Sequence, residues 1–125
     1  MTVLYRAADG LAVGLFMVIG YLSLTPLPVL PDVPGNDKLH HFIAYAALAF
    51  FALLQRKTRN TVLIALLAVI AYGGAIEALQ PYVNRHGEVL DFLANGAGAC
   101  LGWLLVQGAR RSRRTAGGSG RSWRR

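Results

Sequence analysis

Four apolar segments separated by prolines or charges most constrain how this 125-residue chain can fold. They cover residues 7–24, 39–54, 62–79 and 89–106, and each of the first three is followed by prolines or basic residues. A helix of 16 to 18 residues is about 24–27 Å long, close to the roughly 30 Å hydrocarbon thickness of a bilayer. The pattern therefore predicts four transmembrane helices.

The composition favours the same fold. Hydrophobic residues make up 54% of the chain, charged residues only 15%, and the mean hydropathy is +0.42. Soluble proteins have about 25% charged residues, and a chain this short has too little interior to bury so much apolar surface. We expect an all-α, polytopic membrane protein, a bundle of four transmembrane helices.

The net charge of +7 comes from the C-terminal end of the chain. Residues 108–125 hold seven arginines and no acid, whereas residues 1–107 hold six basic and six acidic groups. We therefore predict a four-helix membrane domain over 1–107 and a basic, flexible cytoplasmic tail over 108–125. Contact with anionic lipid explains such a tail better than nucleic acid does, so no nucleic-acid partner is expected.

The distribution of basic residues predicts the topology. With the N-terminus inside, eleven basic residues lie on the inner side and only Lys38 and Arg85 on the outer side. This places both termini in the cytoplasm and the protein in the inner (plasma) membrane. A signal peptide is the alternative for residues 7–24, but no small-x-small cleavage site precedes the loop, which favours a retained helix.

Polar residues within or beside the apolar segments predict a site at the outer membrane level. Helical spacing puts His41 and Tyr45 on one face and Asp91 and Asn95 on another, whereas His40 points about 100° away from His41. The second and fourth helices begin at this level and the third ends there. The candidate polar site comprises Asp37, Lys38, His41, Tyr45, Glu77, Gln80, Arg85, Asp91 and Asn95.

Glycines in the third and fourth segments predict close helix packing, because a missing Cβ lets two backbones approach. These glycines are Gly73, Gly74, Gly98 and Gly102. Four short helices enclose little volume, so the sequence also allows a homodimer. With a single cysteine, Cys100, the chain has no internal disulfide.

Two polar motifs resemble those of VanZ-like membrane proteins. Residues 37–45, DKLHHFIAY, are similar to a D-K-x-x-H-F-x-x-Y motif of that family. Residues 73–102 resemble its second block, in which E-x-x-Q is followed by R, D-x-x-x-N and a glycine-rich helix. All nine candidate site residues and Gly98 match these motifs. Glu88 stands where the family has a small or hydroxyl residue, so the resemblance gives it no role.

The resemblance implies a small protein of the cell envelope. The member that gives the family its name is associated with reduced susceptibility to the lipoglycopeptide teicoplanin. A fold shared with that member does not transfer the phenotype to this chain.

Three readings of the polar site differ in chemistry. It could bind a polar or lipid-linked envelope component, with Lys38 and Arg85 facing phosphate or carboxylate. It could be the site of a membrane enzyme, with His41 as general acid or base, or it could simply hold the helices in register. We expect the first, with membrane lipid as a partner, and leave catalysis open. A divalent metal on His41, Glu77 and Asp91 has suitable chemistry, but their spacing is not diagnostic, so no metal or cofactor is predicted.

Overall fold

The computed structural model describes residues 2–26 and 37–118, and within them the chain is helical. The elements are α1 (Thr2–Leu24), α2 (Asp37–Leu54), α3 (Arg59–Leu79), a 3₁₀ helix (Gln80–Val83) and α4 (Val89–Gly118). All four α-helices are long and apolar enough to cross a membrane, and no strand occurs among the described residues. The prediction of an all-α bundle of four transmembrane helices is confirmed.

The outward faces of the helices are apolar, as lipid contact requires. Val13 is 63% exposed, Met17 64% and Ile64 67%. In water such a surface would be unfavourable, because each exposed apolar side chain forgoes about 1.5–3 kcal/mol of transfer free energy. Surrounded by hydrocarbon, these side chains cost nothing.

Helix ends differ from the apolar segments at several places. The structure has α1 beginning at Thr2 rather than residue 7, and α4 continuing to Gly118 rather than ending near residue 106. Helix therefore covers residues 108–118, the first part of the predicted flexible tail, because arginine and alanine are good helix formers even where hydropathy is low. Residues 119–125 lie outside the described part, and the domain boundary at 107 stays a prediction.

The closest helix contact is between α2 and α4, and two glycines of α4 make it. A Cβ at Gly98 would collide with the carbonyl oxygen of Phe42, and one at Gly102 would collide with that of Ala46. Around this crossing lie fully buried side chains, among them Ala49 and Ala99. The absence of two Cβ atoms therefore brings the two backbones into direct contact.

The other two helices pack on this pair. On α3, Gly73 faces Tyr45 of α2 and Asn95 of α4, so that a Cβ would lie 3.1 Å and 3.2 Å from their nearest atoms. The hydroxyl of Tyr72 donates a hydrogen bond of 2.6 Å to the carbonyl of Phe16 in α1, and the two rings stack with centroids 4.1 Å apart. The fourth predicted packing glycine, Gly74, faces the ring of Phe92 at 3.3 Å.

One end of the bundle is closed by arginines at the C-terminus of α2. The guanidinium of Arg110 in α4 donates a 2.9 Å hydrogen bond to the carbonyl of Leu53 and a second hydrogen bond to that of Arg56. Arg56 in turn lies 3.7 Å from Asp9 of α1. Arg110 thus links α4, beyond its apolar segment, to the C-terminal end of α2.

We predict that Gly98→Ala destabilises the protein in detergent by about 1–3 kcal/mol, the usual effect of overpacking a close contact. Thermal unfolding of the purified protein measures the change. The matched control is Gly96→Ala in the same helix, where a Cβ would meet nothing within 4 Å. Since alanine favours helix over glycine, the control is expected to be neutral or stabilising. Equal melting temperatures for the two variants would contradict the close crossing.

Candidate functional site

Eight polar residues meet at the end of the bundle where α2 and α4 begin and α3 ends. We call this group the terminal polar cluster; its members are Asp37, Lys38, His41, Glu77, Gln80, Glu88, Asp91 and Asn95. Five of them are buried: His41 (9% exposed), Glu77 (9%), Gln80 (2%), Asp91 (3%) and Asn95 (0%). Helical spacing positions them, since Asp37 and His41 lie one turn apart on α2, as do Asp91 and Asn95 on α4.

A chain of hydrogen bonds crosses the three helices at the centre of the cluster. The amide nitrogen of Asn95 faces Oε1 of Glu77 at 3.4 Å, and its oxygen lies 2.9 Å from Nδ1 of His41. Because an amide oxygen only accepts, Nδ1 of His41 carries the proton and donates it. This assignment leaves Nε2 on the opposite side of the ring, 3.9 Å from a carboxylate oxygen of Asp37.

Glu77 is held by donors from the segment that joins α3 to α4. The backbone N–H of Glu88 donates to Oε2 at 3.2 Å. With the amide of Gln80 oriented to satisfy its neighbours, its nitrogen donates to Oε2 at 2.9 Å and to the carbonyl of His86 at 3.3 Å. The segment lies close to α3, because a Cβ on Gly87 would collide with the carbonyl oxygen of Glu77. Among these partners no cation forms a direct hydrogen bond with Glu77.

Lys38 joins the cluster to the surface. Its ammonium donates a 2.9 Å hydrogen bond to Glu88 and lies 3.5 Å from Asp91. This hydrogen bond lowers the pKa of Glu88 below its usual value, because the ammonium favours the carboxylate. Glu88 has no role in the family motif, yet it accepts a 2.9 Å hydrogen bond from Lys38. Glu88 lies three residues before Asp91, in a short loop at the same end of the bundle. This position could have indicated from sequence that Glu88 belongs to the site.

Two buried polar atoms in this region have no hydrogen-bond partner among the described residues: Oδ1 of Asp91 and the hydroxyl of Tyr45. Tyr45 lies one turn below His41, 1% exposed, with its ring against Gly73. It therefore belongs to the interior rather than to the accessible part of the site. Buried polar atoms without a partner usually cost about 1–3 kcal/mol each.

Arg85 lies apart from the carboxylates of the cluster. Its guanidinium donates to the carbonyl oxygens of Leu22 at 2.8 Å and Thr25 at 3.3 Å, at the C-terminal end of α1. The reading in which Arg85 faces a ligand phosphate does not match this geometry. A guanidinium interacts well with unpaired carbonyls and with the negative end of the helix dipole, and sequence spacing could not reveal this use.

The possible metal ligands that the structure brings together differ from His41, Glu77 and Asp91, the set considered from the sequence. Asp37, His41 and Asp91 offer donor atoms that all lie within 4.8 Å of one another. Glu77 instead lies on the Nδ1 side of His41, 3.7 Å away, where Asn95 also bonds. His40, by contrast, is exposed, as its helical position predicted.

Comparison with known proteins supplies one decisive match. The model of the VanZ/LLP1 family matches residues 10–110, which is most of the chain. The chain belongs to the VanZ/LLP1 family. The matched range contains every residue of the terminal polar cluster, so the resemblance seen in the two motifs is confirmed. Neither curated proteins nor solved structures give a match. Family and fold together make this a multi-pass membrane protein.

We predict that Asn95→Ala destabilises this VanZ/LLP1-family protein by about 1–3 kcal/mol, because His41 and Glu77 both lose a buried partner. Thermal unfolding in detergent measures the loss. Asn60→Ala is the matched control, since Asn60 is an exposed residue in the first turn of α3 and its replacement is expected to stay within about 0.5 kcal/mol. If Asn95→Ala unfolds at the wild-type temperature, the hydrogen-bond chain does not stabilise the fold.

Proposed function

We propose that the protein binds a polar or lipid-linked component of the cell envelope at the terminal polar cluster, on the outer side of the membrane. The observation that carries this proposal is a buried polar cluster inside an apolar bundle that remains open to the surface. Asp37 is 64% exposed and Lys38 39% exposed at their side chains, whereas Asp91 beside them is 4% exposed. A ligand headgroup at Lys38 would thus reach buried hydrogen-bonding groups.

The distribution of charge supports an outward orientation. The end opposite the cluster carries Arg56, Lys57 and Arg59 between α2 and α3, and the arginines of residues 110–114 in α4. Basic residues accumulate on the cytoplasmic side of membrane proteins. Both termini then lie in the cytoplasm of a cell whose inner membrane holds the protein, and the cluster faces the envelope.

A groove between α1 and α3 supports a ligand with a lipid tail. It has a volume of about 400 Å³ and is lined by Phe16, Met17, Gly20, Tyr21, Leu24, Thr25 and Tyr72. Its Thr25 end lies near Arg85, because the Thr25 carbonyl accepts a hydrogen bond from that side chain. An acyl or prenyl chain in this groove could place its headgroup near Arg85, at the same end of the bundle as the cluster.

The main competing explanation is that the cluster only holds the helices together. Interhelical hydrogen bonds in membranes are worth about 0.6 kcal/mol on average, so a purely structural cluster gains little from each of its contacts. Such a cluster would also be expected to hydrogen-bond its buried atoms, whereas Oδ1 of Asp91 accepts no hydrogen bond from the described residues and has the Lys38 ammonium 3.5 Å away. A buried oxygen with this ion pair but no hydrogen bond, beside an open surface, is available to a ligand.

One observation favours an enzyme as the second candidate function. Nδ1 of His41 donates to Asn95, and Nε2 lies toward Asp37 on the more exposed side of the site. Whenever the ring is neutral, Nε2 is then its unprotonated nitrogen. A general base requires this arrangement. Turnover of a lipid-linked substrate that is lost in His41→Gln and kept in His40→Gln would favour the enzyme over a binding protein.

Lipid binding to the purified protein tests the proposal. Undecaprenyl phosphate, phosphatidylglycerol and phosphatidylethanolamine are added separately in detergent, and native mass spectrometry and thermal unfolding report binding. We expect one of them to raise the stability by about 2.7 kcal/mol at 100 times its Kd. Lys38→Gln should reduce this effect, whereas the control Lys57→Gln at the opposite end should retain it.

Two results would contradict the proposal. The first is the absence of saturable binding by all three lipids, and the second is equal binding by the Lys38→Gln and Lys57→Gln variants.

The variants Glu77→Gln and Asp91→Asn test the structural explanation, because they keep the shape of the side chain and remove its charge. A large loss of stability in both would favour a structural cluster, whereas unchanged or raised stability would mean that the fold does not need these charges. Expression of the protein in a teicoplanin-susceptible host tests the resistance phenotype separately.

A further inference from the structure

Three side chains of the terminal polar cluster carry donor atoms suited to a divalent metal ion. Asp37 and His41 occupy the first turns of α2, and Asp91 lies in the first turn of α4. One donor atom from each lies within 4.8 Å of the others. With metal bonds of about 2.0–2.2 Å in tetrahedral geometry, ligand atoms lie about 3.3–3.6 Å apart, so donors separated by the full 4.8 Å would have to approach by about 1.2 Å or more. Two carboxylates and an imidazole suit Zn²⁺ or Mn²⁺.

The orientation of His41 is the one a metal ligand needs. Histidines that bind metals usually donate the other ring N–H to a polar partner, which fixes the tautomer. Here Nδ1 donates to Asn95 at 2.9 Å, and Asn95 in turn donates to Glu77. Nε2 faces Asp37, 3.9 Å away, and would form an ion pair with it if protonated. In the neutral ring Nε2 instead presents a lone pair, so that this nitrogen and the carboxylate can bind a metal ion between them.

Asp91 gives a second and independent indication. Its side chain is 4% exposed, and within the described part of the chain its Oδ1 accepts no hydrogen bond. The ammonium of Lys38 forms an ion pair with this oxygen at 3.5 Å and also donates a 2.9 Å hydrogen bond to Glu88. A buried carboxylate oxygen with a cation at this distance but no hydrogen bond is only partly stabilised. A metal ion bound to this oxygen would stabilise it further.

The charge of the cluster points the same way. Its described members include four carboxylates, those of Asp37, Glu77, Glu88 and Asp91, and one ammonium, that of Lys38. The guanidinium of Arg85 is directed at carbonyls of α1. With His41 neutral, the formal charge of the cluster is three negative units. A divalent cation reduces this excess, and in a poorly hydrated site the gain is larger than in water.

We propose that Asp37, Nε2 of His41 and Asp91 bind one divalent transition-metal ion, with Asn95 and Glu77 orienting the histidine. Three protein ligands leave coordination positions open. The inference rests on the proposed function only in that it assigns the metal to the same site. At this site the ion would bind the oxygen atoms of a phosphate or carboxylate headgroup. The carboxylates of the cluster alone would repel such a headgroup.

Metal titration of the full chain tests this inference. Protein purified in detergent without a polyhistidine tag is treated with EDTA, dialysed, and titrated with Zn²⁺ and with Mn²⁺ in a calorimeter. We expect one ion per chain for at least one of the two metals. His41→Gln should weaken binding at least about 100-fold, because even the loss of an outer hydrogen-bond partner costs about 10–100-fold. The matched control is His40→Gln, which should bind as the wild type does.

The variant Asp37→Asn tests the metal site even if His41→Gln, which changes a buried residue, fails to fold. Asp37 is largely exposed, so the variant should fold, and it should still weaken metal binding. The visible absorption of bound Co²⁺ gives a second readout, since it changes when a histidine ligand is lost. The inference is overturned if the wild type binds neither metal saturably, or if His41→Gln or Asp37→Asn binds with wild-type affinity.

Lipid binding measured with and without EDTA separates the two proposals. Metal binding without any lipid binding leaves the metal site standing and overturns the proposed function. Lipid binding without any metal binding supports the proposed function and overturns the metal site. Lipid binding that is lost in EDTA and restored by the metal supports both.

Discussion

Because Gly98 and Gly102 carry no Cβ, α4 lies directly on the backbone of α2, and the position of the polar groups depends on this contact. The same two helices supply His41 on one side and Asn95 on the other. A wider crossing would break their 2.9 Å hydrogen bond and leave both groups without a partner in an apolar bundle. The packing contact deep in the bundle thus sets the geometry of the site at its end.

The buried carboxylates of the cluster, Glu77 and Asp91, differ in how many hydrogen bonds they accept. Glu77 lies within a membrane-spanning helix, where an acidic group costs about 2.5–3.5 kcal/mol, but it accepts hydrogen bonds from Asn95, Gln80 and the Glu88 backbone. These bonds offset its burial and give it a structural role. Oδ1 of Asp91 has the Lys38 ammonium 3.5 Å away but accepts no hydrogen bond from the described residues, so a ligand would stabilise it further.

The sequence predicted the four helices and the level at which the polar residues meet, because hydropathy and helical period determine both. It did not predict what each side chain contacts. The match of Arg85 to a family motif suggested a ligand contact, whereas its guanidinium lies on the carbonyls of Leu22 and Thr25. Glu88 was discounted because it departs from that motif, although it pairs with Lys38. Such contacts depend on the path of the loops and on the conformation of long side chains. The spacing of residues along the chain does not predict either.

Arginines at both ends of the bundle stabilise helix C-termini, and at α2 these include Arg56, which donates to the carbonyl of Ala52. No basic residue lies in the last turn of α1 or of α2, and Arg85 and Arg110 supply guanidinium donors to those carbonyls from other parts of the chain. At the arginine-rich end this use of Arg110 changes little, because many positive charges remain. At the cluster, the guanidinium of Arg85 is directed at the carbonyls of α1, while the ammonium of Lys38 lies beside the carboxylates of Glu88 and Asp91. The cluster would be acidic even with Arg85 included, because four carboxylates outnumber two cations. Directing Arg85 to α1 increases this negative charge, and a more negative site favours the proposed metal ion over an anionic headgroup alone.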